Sequence, residues 1–79
     1  MDAVAQIAES LRQARKHRGL TQEQVSELSG VHPTEISRIE NGHRDSQIST
    51  VFKLAQAFGL TPGEFIDRSW IAPDEEARD

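Results

Sequence analysis

Residues 21–42 read TQEQVSELSGVHPTEISRIENG. The helix start and stop signals in this stretch predict two short helices joined by a tight turn. Thr21 and Gln24 have the spacing of a capping box, which predicts a first helix over Gln22 to Ser29. Gly30 ends that helix after about two turns. The apolar residues that this helix is expected to bury are Val25 and Leu28.

The second helix of the stretch is predicted over Pro33 to Asn41. His32 stands at the cap position, and Pro33 follows at the first helical position, where a missing N–H costs nothing. Ile36 and Ile39 are expected to face inward. Val31 is expected to be buried and so to anchor the turn in the core. A Gly-containing turn between two such brief helices leaves the second one projecting from the domain, the helix-turn-helix arrangement that enters the major groove.

The rest of the chain predicts three more helices and no strand. Apolar residues at steps of three and four predict a helix over about Ala3 to His17. A second apolar series runs from Ile48 to Phe58, after which Gly59 supplies a left-handed stop. The last helix is expected to start at Thr61-Pro62. We therefore predict an all-α, compact five-helix domain over residues 1–72, with the helix-turn-helix at about 21–42, and a disordered acidic tail over 73–79.

The amino-acid composition excludes several classes of protein. The chain has 79 residues, 35% of them hydrophobic, and no cysteine, so neither disulfides nor thiolate zinc sites can supplement its small core. No apolar run approaches the roughly 18 residues of a membrane span. The amino terminus lacks the basic start and long apolar centre of a secretory signal, so we expect a cytoplasmic protein.

The formal charge of −4 is a mild argument against binding nucleic acid, which requires local positive charge. The charge is unevenly distributed, however. Residues 12–53 hold seven Lys and Arg against five Asp and Glu, a balance of +2, whereas the rest of the chain carries −6. The central region is therefore basic enough for local steering toward DNA. Four of its residues, Arg12, Lys16, His17 and Arg18, fit either a DNA-backbone contact or a solvated helix end.

The central motifs resemble those of the Cro/phage-repressor helix-turn-helix family, also called the XRE family. The resemblance extends over roughly residues 7–67 and rests on several motifs in order. These are Leu20-Thr21-Gln22-Glu23-Gln24-Val25, Ser29-Gly30-Val31, Ile36-Ser37-Arg38-Ile39-Glu40-Asn41-Gly42, Lys53-Leu54-Ala55 and Phe58-Gly59-Leu60. It implies a transcriptional regulator, more often a repressor, that binds double-stranded operator DNA as a homodimer on inverted repeats and needs no cofactor.

The same resemblance assigns roles to individual residues. The helix predicted over Pro33 to Asn41, the third of the five in chain order, becomes the recognition helix. Its base-reading positions are Pro33, Thr34, Ser37 and Arg38. The guanidinium of Arg38 can donate two hydrogen bonds to guanine. The phosphate-binding positions are Gln22, Asn41, His43 and Arg44. Arg15 and Glu40 match a buried ion pair that ties the first helix to the end of the recognition helix.

Dimerisation through the fourth and fifth helices is also implied by the resemblance. The candidate interface residues are Phe52, Phe65, Ile66, Trp70 and Ile71. Trp70 and Ile71 follow the last predicted helix, where exposed large apolar groups are costly. They are interpreted equally well as a dimer contact and as a lid on the domain's own core.

Other functional classes remain as alternatives. An antitoxin would also bind a toxin through its tail, and an adaptor would keep the fold for protein partners such as an anti-repressor. A metal site is not expected, because His17, His32 and His43 are loosely spaced and no cysteine accompanies them. No nucleophile stands with a base and an orienting acid, so an enzyme is not expected either.

Overall fold

A computed structural model describes residues 2–43 and 46–68, and this part of the chain is all-α with no strand. The five helices are α1 (Ala3–His17), α2 (Gln22–Ser29), α3 (Pro33–Glu40), α4 (Ile48–Ala57) and α5 (Pro62–Asp67). The prediction of an all-α five-helix domain is thus confirmed. Arg44, Trp70, Ile71 and the predicted acidic tail lie outside the described residues.

Side-chain caps start the helices where the sequence predicts them. At α2 the Gln24 amide donates to Thr21 Oγ1 at 3.1 Å, and Gln24 Oε1 accepts from the Thr21 amide at 2.8 Å. Thr61 and Glu64 form the same reciprocal pair at α5. These bonds satisfy amides that have no partner within the helix, so each short helix starts at a defined residue.

The turn between α2 and α3 is made by a glycine in the left-handed conformation. Gly30 caps α2 with φ +76°, a region that residues with a Cβ seldom enter. Val31 follows and is buried, as predicted, so the turn is anchored in the core. The anchored turn fixes the direction in which α3 leaves α2.

One hydrophobic core joins all five helices. α1 packs against α3 and α5, α2 packs against α3 and α4, and α4 packs against α5. The Phe58 and Phe65 rings stack at its centre with centroids 6.1 Å apart and 10° between their planes. The remaining core residues are Leu11, Ala14, Val25, Val31, Ile36, Ile39, Val51, Leu54 and Ala55. α3 buries two isoleucines in this core, which leaves its other face free.

One residue predicted to lie in the core, Leu28, does not, and Ile48 at the start of the α4 apolar series also lies outside the core. Leu28 is 59% exposed because the half-buried and buried side of α2 runs through positions 22, 25, 26 and 29, roughly 110° away around the helix. Ile48 is 74% exposed. It is the first residue of α4, and helix side chains tilt toward the amino terminus, so Ile48 projects past the end of the core.

None of the helices in the described residues combines the length and the apolar character needed to cross a membrane.

Candidate nucleic-acid interface

The exposed face of α3 carries all four predicted base-reading residues. Thr34 and Arg38 are exposed and stand one turn apart, while Pro33 and Ser37 form a parallel, half-buried row. Side chains at i and i+4 share a helix face, so the four make one continuous patch. Ile36 and Ile39 are buried on the opposite side of the helix and hold it to the core.

A buried ion pair fixes the carboxyl-terminal end of α3. Arg15 of α1 forms a two-pronged contact with Glu40, with 2.7 Å between Arg15 Nε and Glu40 Oε2 and 3.0 Å between Arg15 Nη2 and Glu40 Oε1. The Glu40 side chain is only 4% exposed. The hydrogen bond with the Glu40 carboxylate raises the pKa of Arg15, so the guanidinium stays charged. The pair orients α3 against α1.

Gln22 contacts the same carboxylate from the start of α2. Its Nε2 donates to Glu40 Oε1 at 3.3 Å, and the side chain is half-buried. An amide group has two N–H donors, so the second hydrogen remains for a phosphate oxygen. Sequence reasoning gave Gln22 a phosphate role alone and missed the contact with Glu40, because residues of two different helices meet there.

Arg12 and Arg15 of α1, and Arg18 at its carboxyl-terminal cap, donate to backbone carbonyls, a pattern that the sequence does not predict. Arg12 donates to the Glu40 carbonyl at the end of α3, and Arg18 donates to the Phe58 carbonyl after α4 at 2.7 Å. Arg15 donates to the Leu20 carbonyl at 3.1 Å. Cations are favourable at helix carboxyl ends, where the carbonyls lack partners. Arg12 and Arg18 therefore stabilise the ends of α3 and α4, a role that neither of the two interpretations of these cations included.

Glu9 completes the contacts of Arg12. Glu9 Oε2 lies 2.8 Å from Arg12 Nη2, and Glu9 Oε1 accepts from Gln13 at 2.8 Å. The hydrogen bonds from Gln13 and Arg12 lower the pKa of Glu9 below its usual range. Arg12 is thereby held between Glu9 and the end of α3.

The loop after α3 begins with a hydrogen-bonded turn. The Asn41 amide donates to the Ser37 carbonyl and the His43 amide to the Arg38 carbonyl, both at 3.0 Å. The side chains of Asn41 and His43 are exposed next to the α3 patch, as phosphate contacts require. Arg44, the fourth predicted phosphate ligand, is among the residues that the structure does not describe.

Burial of one predicted residue makes the accessible dimer surface smaller than predicted. Phe65 is 0% exposed and belongs to the core, so it has no surface to offer a second copy. Phe52 is 55% exposed and stands one turn after the exposed Ile48, so the two share a side of α4. Ile66 is half-buried. Of the predicted interface residues, Phe52 and the half-buried Ile66 are therefore both described and accessible. Ile48, which was not predicted, is an exposed neighbour of Phe52.

Residues 2–43 and 46–68 contain no group of His, Asp or Glu placed to hold a metal ion.

Comparison with known proteins gives one consistent family. The helix-turn-helix family model HTH_3 matches residues 11–65, which span α1 to α5. Control protein C.SmaI from Serratia marcescens is 32% identical over 75 residues, covering 95% of this chain and 89% of that protein. The HTH-type transcriptional regulator PuuR from Escherichia coli K12 is 38% identical over 65 residues, covering 82% of this chain but 35% of that protein.

A solved structure agrees with these relatives. The restriction-modification controller protein C.AhdI from Aeromonas hydrophila has a TM-score of 0.74 at 31% identity, covering 78% of this chain and 94% of that chain. The likeness therefore extends over nearly the whole of that protein.

Proposed function

We infer the function of this chain from its family, because it belongs to the helix-turn-helix family HTH_3, of the XRE type. It is a transcriptional regulator of that type and not an enzyme. We propose in addition that it binds a specific double-stranded operator as a homodimer and represses transcription. The recognition element is α3, and the surrounding exposed polar residues contact the phosphates.

The observation that carries this proposal is the exposed face of α3. Thr34 and Arg38 point away from a helix that is anchored from behind by Ile36 and Ile39. A guanidinium offers two donors to guanine O6 and N7, which gives about 1–3 kcal/mol of discrimination against a wrong base. A free, rigidly held helix with an exposed arginine matches the geometry needed to read the major groove.

The homodimer is supported by the apolar residues of α4. Phe52 and Ile48 are large, exposed and on one side of the helix, and burial against a second copy would remove their surface from water. The two α3 helices of such a dimer are expected about 34 Å apart, one turn of DNA, on a pseudo-palindromic site. Because the DNA-facing charge is modest, a monomer is expected to bind weakly.

The relatives' names support a second, narrower candidate. One is named a control protein and another a restriction-modification controller protein, and this chain covers most of both. We therefore propose control of restriction-modification genes as the alternative to a general repressor. The antitoxin and adaptor alternatives draw no support from the names of these relatives.

Selection from a randomised duplex library tests the proposal. Enrichment of one inverted repeat, which is bound more tightly than a scrambled duplex at each salt concentration, is the expected result. Library enrichment without any shared sequence would indicate phosphate attraction alone and contradict operator binding. Transcription of a reporter under the selected duplex then decides between repression and activation.

A further inference from the structure

We propose that His32 donates a hydrogen bond from its Nε2–H to an acceptor atom of the bound DNA. This inference rests on the proposed function and extends it by one residue. It follows from the way in which the imidazole caps α3.

The imidazole of His32 is held in one tautomer by the cap. The Thr34 amide donates to His32 Nδ1 at 3.1 Å, so Nδ1 is an acceptor and carries no proton. A neutral imidazole has a single N–H, and it must then lie on Nε2. Residue 32 is exposed, and within residues 2–43 and 46–68 Nε2 donates no hydrogen bond. The ring therefore presents an unused donor at the tip of the recognition helix.

The backbone at this tip has few donors left for DNA. Pro33 has no N–H, and the Thr34 amide is occupied by the cap. The Ile36 amide donates to the His32 carbonyl at 3.0 Å. Fewer amides are therefore free for the usual phosphate contact at a helix start. The side chains of His32 and Thr34 add polar groups beside the amides that remain.

The fixed tautomer determines what His32 accepts as a partner. An N–H can bond to guanine O6 or N7, adenine N7, thymine O4 or a phosphate oxygen. It cannot bond to cytosine N4, the major-groove group of that base, because N4 is itself a donor. His32 therefore disfavours cytosine at the base that it contacts. A base contact is favoured over phosphate, since His32 directly precedes the base-reading positions Pro33 and Thr34.

His32→Ser separates the cap from the donor. Serine is among the preferred capping residues, so this variant is expected to keep the wild-type Tm, whereas His32→Ala lowers it. The imidazole donor is lost in both. His17→Ser is the matched control, because it also removes an exposed imidazole but lies at the far end of α1.

Library selection with these variants gives the decisive result. We expect His32→Ser to lose the discrimination against cytosine at one base position of each half-site and to bind the wild-type duplex about tenfold more weakly. Uniformly weaker binding with an unchanged consensus and salt slope would support the same donor with a phosphate oxygen as its acceptor. Unchanged affinity and consensus in His32→Ser would overturn the inference, while failure of the wild type to select any sequence would overturn the proposed function instead.

The tautomer itself is measured by nitrogen-15 NMR of the imidazole in the free protein. We expect the neutral imidazole to carry its proton on Nε2 and none on Nδ1. A proton found on Nδ1 would contradict the cap and the inference together.

Discussion

Gln22 at the start of α2 and Glu40 at the end of α3 are joined by a hydrogen bond of 3.3 Å between Gln22 Nε2 and Glu40 Oε1. The same carboxylate accepts two bonds from Arg15 of α1. One buried side chain thus connects three helices, and it does so beside the surface proposed for DNA. The helix proposed to read bases and the residue proposed to bind phosphate are therefore oriented by the same group.

Glu40→Ala is expected to lower the free energy of unfolding by about 3 kcal/mol. Removal of one partner of a buried pair leaves an uncompensated charge, and the figure is at the low end of the usual range because the Arg15 side chain is 19% exposed. Urea unfolding followed by circular dichroism measures the loss. The double variant Arg15→Met with Glu40→Leu is the control, and it should recover part of the stability. A Glu40→Ala transition that coincides with that of the wild type would contradict a stabilising role for the pair.

Arg38→Ala is expected to remove base discrimination at one or two positions of each half-site. The exposed guanidinium is the strongest candidate for a contact with guanine O6 and N7, and its loss should cost about 1–3 kcal/mol of preference for that base. Fluorescence anisotropy with the selected duplex and its single-base variants measures the preference. Stability should not change, because Arg38 makes no contact in the core.

Gln22→Ala is the contrast for the Arg38 variant. Its second amide hydrogen is proposed to bind a phosphate, so binding should weaken to a similar extent on the selected and the scrambled duplex. The loss of its bond to Glu40 should also lower Tm slightly, which Arg38→Ala should not do. If both variants weaken the two duplexes equally, the division into base-reading and phosphate-binding residues is wrong.

The sequence predicted those parts of the fold that depend on neighbours along the chain. Capping boxes, a first-turn proline and glycine stops are local signals, and the helix limits follow them closely. The exposure of Leu28 and the burial of Phe65 depend on which side of a short helix meets the core, and a short helix gives too few turns to determine that side from apolar spacing.

Contacts between distant residues left a weaker signal in the sequence. The Arg15–Glu40 pair was anticipated only through the family resemblance, and the bonds from Arg12 and Arg18 to carbonyl groups were not anticipated at all. A carbonyl at a helix end is present in every sequence, so no residue type marks it as the partner of a particular arginine. The spacing of Arg12 and Arg15 on one side of α1 was the available hint.

Acid should weaken the fold partly through Glu9. Its folded-state pKa lies below the usual glutamate range because Gln13 and Arg12 donate hydrogen bonds to the carboxylate. A lowered pKa means that the unfolded chain binds the proton more readily, so this contribution is complete above the unfolded pKa and is lost as pH falls through the folded one. The contribution is small because the side chain is partly exposed. Glu9→Gln should therefore reduce the difference in Tm between pH 7 and pH 3, and an undiminished difference would contradict it.

Phe52→Ser is expected to weaken the proposed homodimer at least tenfold, because truncation of a buried aromatic group at an interface commonly costs more than 1.4 kcal/mol. Leu28→Ser is the matched control, since Leu28 is exposed to a similar extent, 59% against 55%, but lies on α2 rather than α4. Sedimentation equilibrium of the three proteins gives the dimer dissociation constants. A wild type that stays monomeric at high micromolar concentration, or equal weakening by the two variants, would exclude the α4 surface as the specific contact between copies.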